Sequence, residues 1–339
     1  MTGFLEMDVA EPTAPPDDPL AAMELLVSQV SWESDGVVSI RLVHPDGVPL
    51  PPWQPGAHLD VRLPSGTVRQ YSLCGDPADD RSYRIAVLRE QDGRGGSREV
   101  HDTALVGRSV QVRGPRNHFA LVPAPSYVFV AGGIGITPIL AMVRSVAARG
   151  GRWSLFYGGR SRRSMAFVDE LRALGSDENL HLLPQDEHGL MPLADLVEHS
   201  PPGSAVYCCG PDGMLRAVSE VCAGLGRTAD LHLERFGRDT AALVPTDPAD
   251  NTTFEVELRR SGVVRSVPPD RTLLDVVLDV VPDTAFSCTE GYCGSCETRV
   301  LAGVPEHHDQ VLSDAERERG EVMMICVGRS RSDRLVLDL

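Results

Sequence analysis

Four cysteines near the C-terminus are the residues whose types and spacing point most directly to chemistry. Cys288, Cys293 and Cys296 form C-x4-C-x2-C, and Cys326 follows after 29 intervening residues. Thiolates so spaced hold a plant-type 2Fe–2S cluster: a tight loop supplies three ligands and a distant strand or turn supplies the fourth. Gly291, Gly294 and Ser295 are small, so the loop backbone can wrap closely and aim N–H groups at the sulfides. Those donors and local burial tune the potential. Zinc is the competing reading, but zinc motifs usually pair two short C-x2-4-C units, and only one C-x2-C stands here. Alone, Cys326 in Met-Met-Ile-Cys-Val would be an apolar core thiol; the upstream cysteines make it a ligand.

A second group of residues suits a flavin. The ring needs an aromatic or apolar plane, a hydrogen-bond partner near N5 and a cation for the phosphate. Tyr71, Ser72 and Arg69 of Arg69-Gln-Tyr71-Ser72-Leu73 offer these in that order. Downstream, Gly93-Arg94-Gly95-Gly96-Ser97 offers backbone N–H groups and a hydroxyl to an anion. Alone, each of these also fits a surface strand followed by a glycine-rich turn.

A third group suits a nicotinamide nucleotide. Val128-Phe-Val-Ala131 is an apolar strand, Gly132-Gly133-Ile134-Gly135 a turn that can approach a pyrophosphate, and Ile136-Thr137-Pro138 a helix start. This is not the G-x-G-x-x-G fingerprint, so that motif argument does not apply. Two further strand ends are predicted on the same sheet edge, at Tyr157-Gly-Gly-Arg160-Ser161-Arg162 and at Tyr207-Cys-Cys209-Gly210-Pro211. Ligands of open α/β sheets bind along that carboxyl edge.

The elements that must position these groups follow from the pattern of the 339 residues. Length predicts two or three domains. Residues 1–22 carry five acidic residues and no Arg, which predicts a disordered tail. Residues 23–123 contain short alternating runs between Gly/Pro turns, predicting an antiparallel β-barrel. Residues 124–236 alternate apolar strands with helices, predicting a parallel α/β sheet. Residues 237–250 read as a linker, and 251–339 as an α+β unit with a hairpin (Thr253–Leu258, Val263–Val267), a helix (Thr272–Val280) and the cysteine loop. The net charge of −16 argues against nucleic acid, whose phosphates need positive surface. No apolar stretch reaches the ~20 residues of a membrane span, and no signal segment is visible, so a cytoplasmic protein is expected. Cys74, Cys208, Cys209 and Cys222 lack framework spacing and read as ordinary thiols. His58, His101 and His118 read as structural, and His307 and His308 as residues of a polar turn.

In their joint order these motifs resemble the phthalate dioxygenase reductase and vanillate demethylase reductase group of the ferredoxin–NADP reductase superfamily. The carriers are Arg69-x-Tyr71-Ser72-Leu73, Gly95-Gly96-Ser97, Pro115-Arg116-Asn117-x-Phe119, the Gly132–Pro138 segment, Cys209-Gly210-Pro211, Glu234-x-Phe236 and the four cysteines. The resemblance implies an FMN-binding barrel, an NADH-binding α/β domain and a β-grasp ferredoxin domain. By position it places Ser72 near flavin N5, and Arg69 with Gly95–Ser97 at the FMN phosphate. Thr137 and Cys209 would flank the nicotinamide, Arg160 would meet the adenosine end, and Phe236 would cover the ring. NADH is the family preference, although Arg162 and Arg163 could pair with the 2′-phosphate of NADPH.

The expected activity is transfer of electrons from NADH through FMN and the cluster to a separate oxygenase, either Rieske-type or a haem monooxygenase. The chain itself is expected to be a monomer with no membrane or nucleic-acid partner. The cluster loop 288–296 is expected to face the flavin, with Glu290 and Tyr292 near the exit surface. The rival reading is a redox-sensing iron–sulfur flavoprotein without an oxygenase partner.

Overall fold

The computed structural model describes residues 22–91, 95–236, 251–282, 284–286, 289–292 and 294–339. The expected tail, but for residue 22, and the whole expected linker lie outside these residues, as do Gly93, Arg94, Cys288 and Cys293.

The first unit contains strands β1 (Met23–Ser34), β2 (Val37–Val43), β3 (Ala57–Arg62), β4 (Val68–Ser72) and β5 (Ser82–Leu88). Helix α1 (Gly96–Asp102) and strand β6 (Ser109–Asn117) follow. The six strands run in the order β4-β3-β6-β1-β2-β5, and their ladders are antiparallel. An antiparallel bridge between Leu73 and Ile85 joins the two outer strands, so the sheet closes into the expected barrel. Alternation does the work: Leu25, Val27, Leu59, Val61 and Ile85 all point into one apolar core.

The second unit starts with β7 (Tyr127–Gly132), α2 (Ile136–Ala148), β8 (Trp153–Gly159), α3 (Val168–Leu174) and β9 (Leu180–Pro184). It continues with α4 (Gln185–His188), α5 (Leu193–Glu198), β10 (Ala205–Cys209), α6 (Asp212–Gly224) and β11 (Leu231–Glu234). All its ladders are parallel, in the order β11-β10-β7-β8-β9. β7 is therefore the first strand and also the central one, and the chain reverses its winding between β7 and β10. That switch point leaves a crevice at the strand carboxyl ends. Helix α2 is apolar almost all round, with Ile136 through Val143 buried between the sheet and the barrel. Helix α6 buries only the stripe Leu215, Val218 and Cys222.

The third unit contains β12 (Phe254–Leu258), β13 (Val263–Val267), α7 (Leu273–Leu278), β14 (Glu297–Ala302), β15 (Pro305–Glu306), α8 (Asp314–Arg319), β16 (Val322–Met324), β17 (Arg329–Ser330) and β18 (Arg334–Leu337). Its main sheet runs β13-β12-β18-β14-β16; β12 and β18 are parallel and the other pairs antiparallel. Thr272 and Asp275 form a capping box that starts α7, and Ser313 with Glu316 does the same for α8. The expected hairpin and helix fall where the pattern put them. Among the described residues no helix is long and apolar enough to cross a membrane.

Candidate redox site

The switch-point crevice is bounded by two glycine turns that lie against each other. After β7, Gly133 adopts a left-handed φ of 55°, and Gly135 leads into α2. A Cβ on Gly135 would come 2.2 Å from the Cys209 carbonyl oxygen, and one on Gly210 would come 3.1 Å from Gly132 Cα. Only bare backbone fits, which is why glycines stand there. Thr137 and Pro138 are buried in the first turn of α2, with Thr137 Oγ1 donating to the Ile134 carbonyl at 3.0 Å. Pro211 precedes α6, and Asp212 opens it.

Three side chains anticipated separately meet at the mouth of this crevice. Glu234 ends β11 directly opposite Cys209 of β10. Ser72 Oγ of the barrel donates to Glu234 Oε2 at 3.4 Å, and Cys209 Sγ lies 3.9 Å from the same oxygen. Loss of water around this half-buried carboxyl pushes its pKa up to about 8, against the pull of the two donors. Glu234 is therefore mainly protonated at neutral pH. Burial, reinforced by Glu234, raises the Cys209 thiol well above its ordinary value, so that sulfur is a neutral wall rather than a nucleophile.

The barrel residues expected to meet a flavin lie on β4 and at the start of α1. Arg69 lies on β4 against Gly96, where a Cβ would come 2.9 Å from Arg69 Nε. Gly95, at φ 89°, caps α1, and Ser97 Oγ accepts from the Glu90 amide at 3.1 Å. Tyr71 is half-buried beside the barrel core, and Leu73 is fully inside it. A cavity of about 510 Å³ opens beside Arg69, with Arg62 and Arg113 on the barrel side and Leu278 and Phe286 opposite. Phe236 is 43% exposed just beyond Glu234. Arg160 is exposed after β8; Arg162 pairs with Glu187 at 3.3 Å and Arg163 with Asp35 at 3.1 Å.

Of the four cysteines of the motif, Cys296 and Cys326 lie among the described residues, and both are 3% exposed. The Ile325 amide donates to the Cys296 carbonyl at 3.4 Å, so the turn bearing the fourth cysteine sits directly on the loop bearing the third. Gly291 and Gly294 both have φ of 75°, and a Cβ on Gly291 would come 2.7 Å from Val327. Among the described residues, these two left-handed glycines supply the tight turns that a ligand loop needs.

The loop also faces the barrel through contacts that sequence reasoning missed. Ser295 meets Gln70, Arg116 and Asp60, and Gly294 lies against His118. The only outward signal was a serine between two ligand positions. His101 Nε2 meets the Val87 carbonyl at 3.0 Å, in keeping with a structural role. His307 departs from the polar-turn reading: its side chain is 8% exposed and 3.7 Å from Asp309. Glu290 and Tyr292 are half-buried.

Comparison with known proteins decides the family. Residues 129–220 match the oxidoreductase NAD-binding domain, and residues 256–330 the 2Fe-2S iron-sulfur cluster binding domain. The chain is 38% identical over 331 residues to phthalate dioxygenase reductase of Burkholderia cepacia, covering 96% of this chain and all (100%) of that protein. The chain belongs to the phthalate dioxygenase reductase family. Within reach of that family it is also 44% identical over 322 residues to phenoxybenzoate dioxygenase subunit beta of Ectopseudomonas oleovorans, covering 94% of this chain and 98% of that one. An intact type IV self-sufficient cytochrome P450 monooxygenase matches with a TM-score of 0.84 at 41% identity, over 97% of this chain. This chain spans only 43% of that structure. Like others of the phthalate dioxygenase reductase family, the chain is an oxidoreductase with a nucleotide domain and a 2Fe–2S domain. The zinc reading of the cysteines is thereby set aside.

Proposed function

We propose that the chain takes hydride from NADH onto FMN and passes electrons singly through its 2Fe–2S cluster to a separate oxygenase, either a Rieske-type aromatic oxygenase or a haem monooxygenase. The units at 23–123, 124–236 and 251–339 are its flavin, nucleotide and ferredoxin parts. The observation that carries this reading is the meeting of Ser72, Cys209 and Glu234, which brings the barrel and the nucleotide crevice to one point. The names of the relatives, reductase and dioxygenase subunit among them, support an oxygenase as the acceptor.

When bound, the flavin supplies conversion between two-electron and one-electron transfer, and the cluster supplies the one-electron exit. The chain supplies placement. Arg69, Gly95, Gly96 and Ser97 bind the FMN phosphate, Tyr71 lies along the ring, and Ser72 is the hydrogen-bond partner near N5. Gly132, Gly133, Thr137, Pro138, Gly210 and Pro211 shape the crevice that orients the nicotinamide beside Cys209. Arg160 holds the adenosine end, and Phe236 shields the ring until the nicotinamide enters. Glu234, protonated at neutral pH, keeps a net negative charge away from the reacting pair. Cys288, Cys293, Cys296 and Cys326 hold the cluster.

Arg162 and Arg163 already carry carboxylate partners, which favours NADH, because a 2′-phosphate would have to compete for them. The test is to identify the released flavin and to compare kcat/KM for NADH and NADPH, with cytochrome c as acceptor. FMN and a preference for NADH are expected. A flavin-free protein that still reduces its cluster with NADH would overturn the reading.

A further inference from the structure

The joint between the barrel and the cluster-bearing unit is held by a polar network that neither nucleotide binding nor cluster ligation requires. Ser295 is buried between Gly294 and Cys296. Its Oγ accepts from Gln70 Nε2 at 2.6 Å and from Arg116 Nη2 at 3.3 Å, and donates to Asp60 Oδ1 at 3.2 Å. One hydroxyl thus uses its proton and both lone pairs. Asp60 is 3% exposed and paired with Arg116, and both belong to the barrel strands β3 and β6. The ion pair is therefore internal to the barrel, and Ser295 is the visitor.

The network extends behind Gln70. Its amide nitrogen also lies 3.2 Å from His58 Nε2. An amide nitrogen can only donate, so His58 Nε2 accepts and the ring proton sits on Nδ1. Burial first, then the positive charge of Arg116 and the neighbouring His118, lowers the His58 pKa to about 3, so the ring stays a neutral acceptor. His118 stacks on His58 with centroids 5.6 Å apart and closes on Gly294, where a Cβ would come 2.8 Å from His118 Nε2.

Placement gives this network its meaning. Gln70 stands on β4 between Arg69 and Tyr71, two residues before Ser72, on the strand that the proposed function assigns to the flavin. Ser295 immediately precedes a cluster ligand. A buried polar contact of this kind contributes less adhesion than an apolar one, but it accepts only one register. We propose that Ser295, Gln70 and the Asp60–Arg116 pair are positioning residues that pin the cluster loop against the flavin strand and so set the rate of electron passage between them. The inference rests on the function proposed above. In the step it serves, one electron leaves the reduced flavin and enters the oxidised cluster, with no bond made or broken. The two electrons of one hydride follow in turn, each passed on to the external acceptor.

The test uses the full holoprotein, wild type and the variants Ser295→Ala, Gln70→Ala, the double variant and Ser295→Thr, mixed with NADH in stopped flow. Flavin reduction should stay at the wild-type rate in all of them. Cluster reduction should fall several-fold in each alanine variant, because electron passage slows steeply as the gap lengthens. The double variant should be no slower than the worse single, as for one connected network, and Ser295→Thr should recover most of the rate. Amide hydrogen exchange at 294–302 should quicken in Ser295→Ala while the cluster spectrum and potential stay fixed. Wild-type cluster reduction in both alanine variants would overturn the inference, as would a loss that tracks a shifted cluster potential. Failure of NADH to reduce flavin in the wild type would instead sink the proposed function.

Discussion

Where the barrel meets the parallel-sheet unit, the two sides share their interiors. Ala141 of α2 packs in the barrel core, while Val37, Cys74, Ala86 and Phe119 from the barrel side join the core of the sheet. Glu170 on α3 adds a clamp, accepting from Arg84 of the barrel at 2.6 and 2.8 Å and from Arg144 of α2 at 2.7 Å, with Arg84 lying over the Phe167 ring. Where the barrel meets the C-terminal unit, the apolar cluster of that unit draws on residues 254–339 alone, and Ser295 makes three hydrogen bonds across the seam. The first joint resembles the inside of one domain; the second resembles a docked surface. Hydride transfer demands fixed contact between donor and acceptor, whereas electron passage tolerates a gap provided that its length is held.

The largest expected effect isolates the far side of the second joint. Cys326→Ser should abolish the cluster's visible absorbance and cytochrome c reduction, while ferricyanide reduction by NADH through the flavin persists; retained absorbance would remove Cys326 from the ligand set. Next comes the first joint. Glu170→Ala leaves two guanidinium groups without their shared acceptor and should cost roughly 2 kcal/mol or more, read as a lower Tm together with slower flavin reduction. Ser295→Ala should cost only about 1 kcal/mol and leave flavin reduction alone. If the two variants behaved alike, the contrast between the joints would fail.

A smaller effect concerns pH. Because burial penalises the Glu234 carboxylate and raises its folded pKa from 4.5 to about 8, stability is highest with the group protonated and falls as pH rises from the ordinary carboxylate range through 8. The KM for NADH should climb as the carboxylate forms near pH 8 in the wild type and stay flat in Glu234→Gln. Equal profiles would show that another group titrates. The smallest effect is expected at the rim: Glu187→Gln should free Arg162 and improve kcat/KM for NADPH, with NADH unaffected.

Much of this was readable in the chain because it is local. Alternation in Leu25-x-Val27 marks a barrel strand, and the apolar run through Ile136–Val143 marks a helix wrapped on every side. The cysteine spacing needed no partner to be understood. The meeting of Ser72 with Glu234 is another matter, since 162 positions separate them; each was legible as a motif member, but not their contact. Ser295 was read only as small enough for a tight loop, and its true partner Asp60 lies 235 positions away with nothing in its neighbourhood to announce it. Glu170 was invisible for the same reason: an acidic residue on a short helix looks solvated until two arginines from other elements arrive.

The cysteines outside the cluster motif have a practical consequence. Cys74, Cys208, Cys209 and Cys222 are all sealed from solvent, and burial raises each thiol's pKa, to about 12 for Cys74 and Cys208. Thiolate is the reactive form, so at neutral pH these four are poor targets for maleimides or iodoacetamide. A cysteine engineered onto the surface of the intact holoprotein could therefore take a fluorophore or spin label selectively, and the native sulfurs need not be removed first.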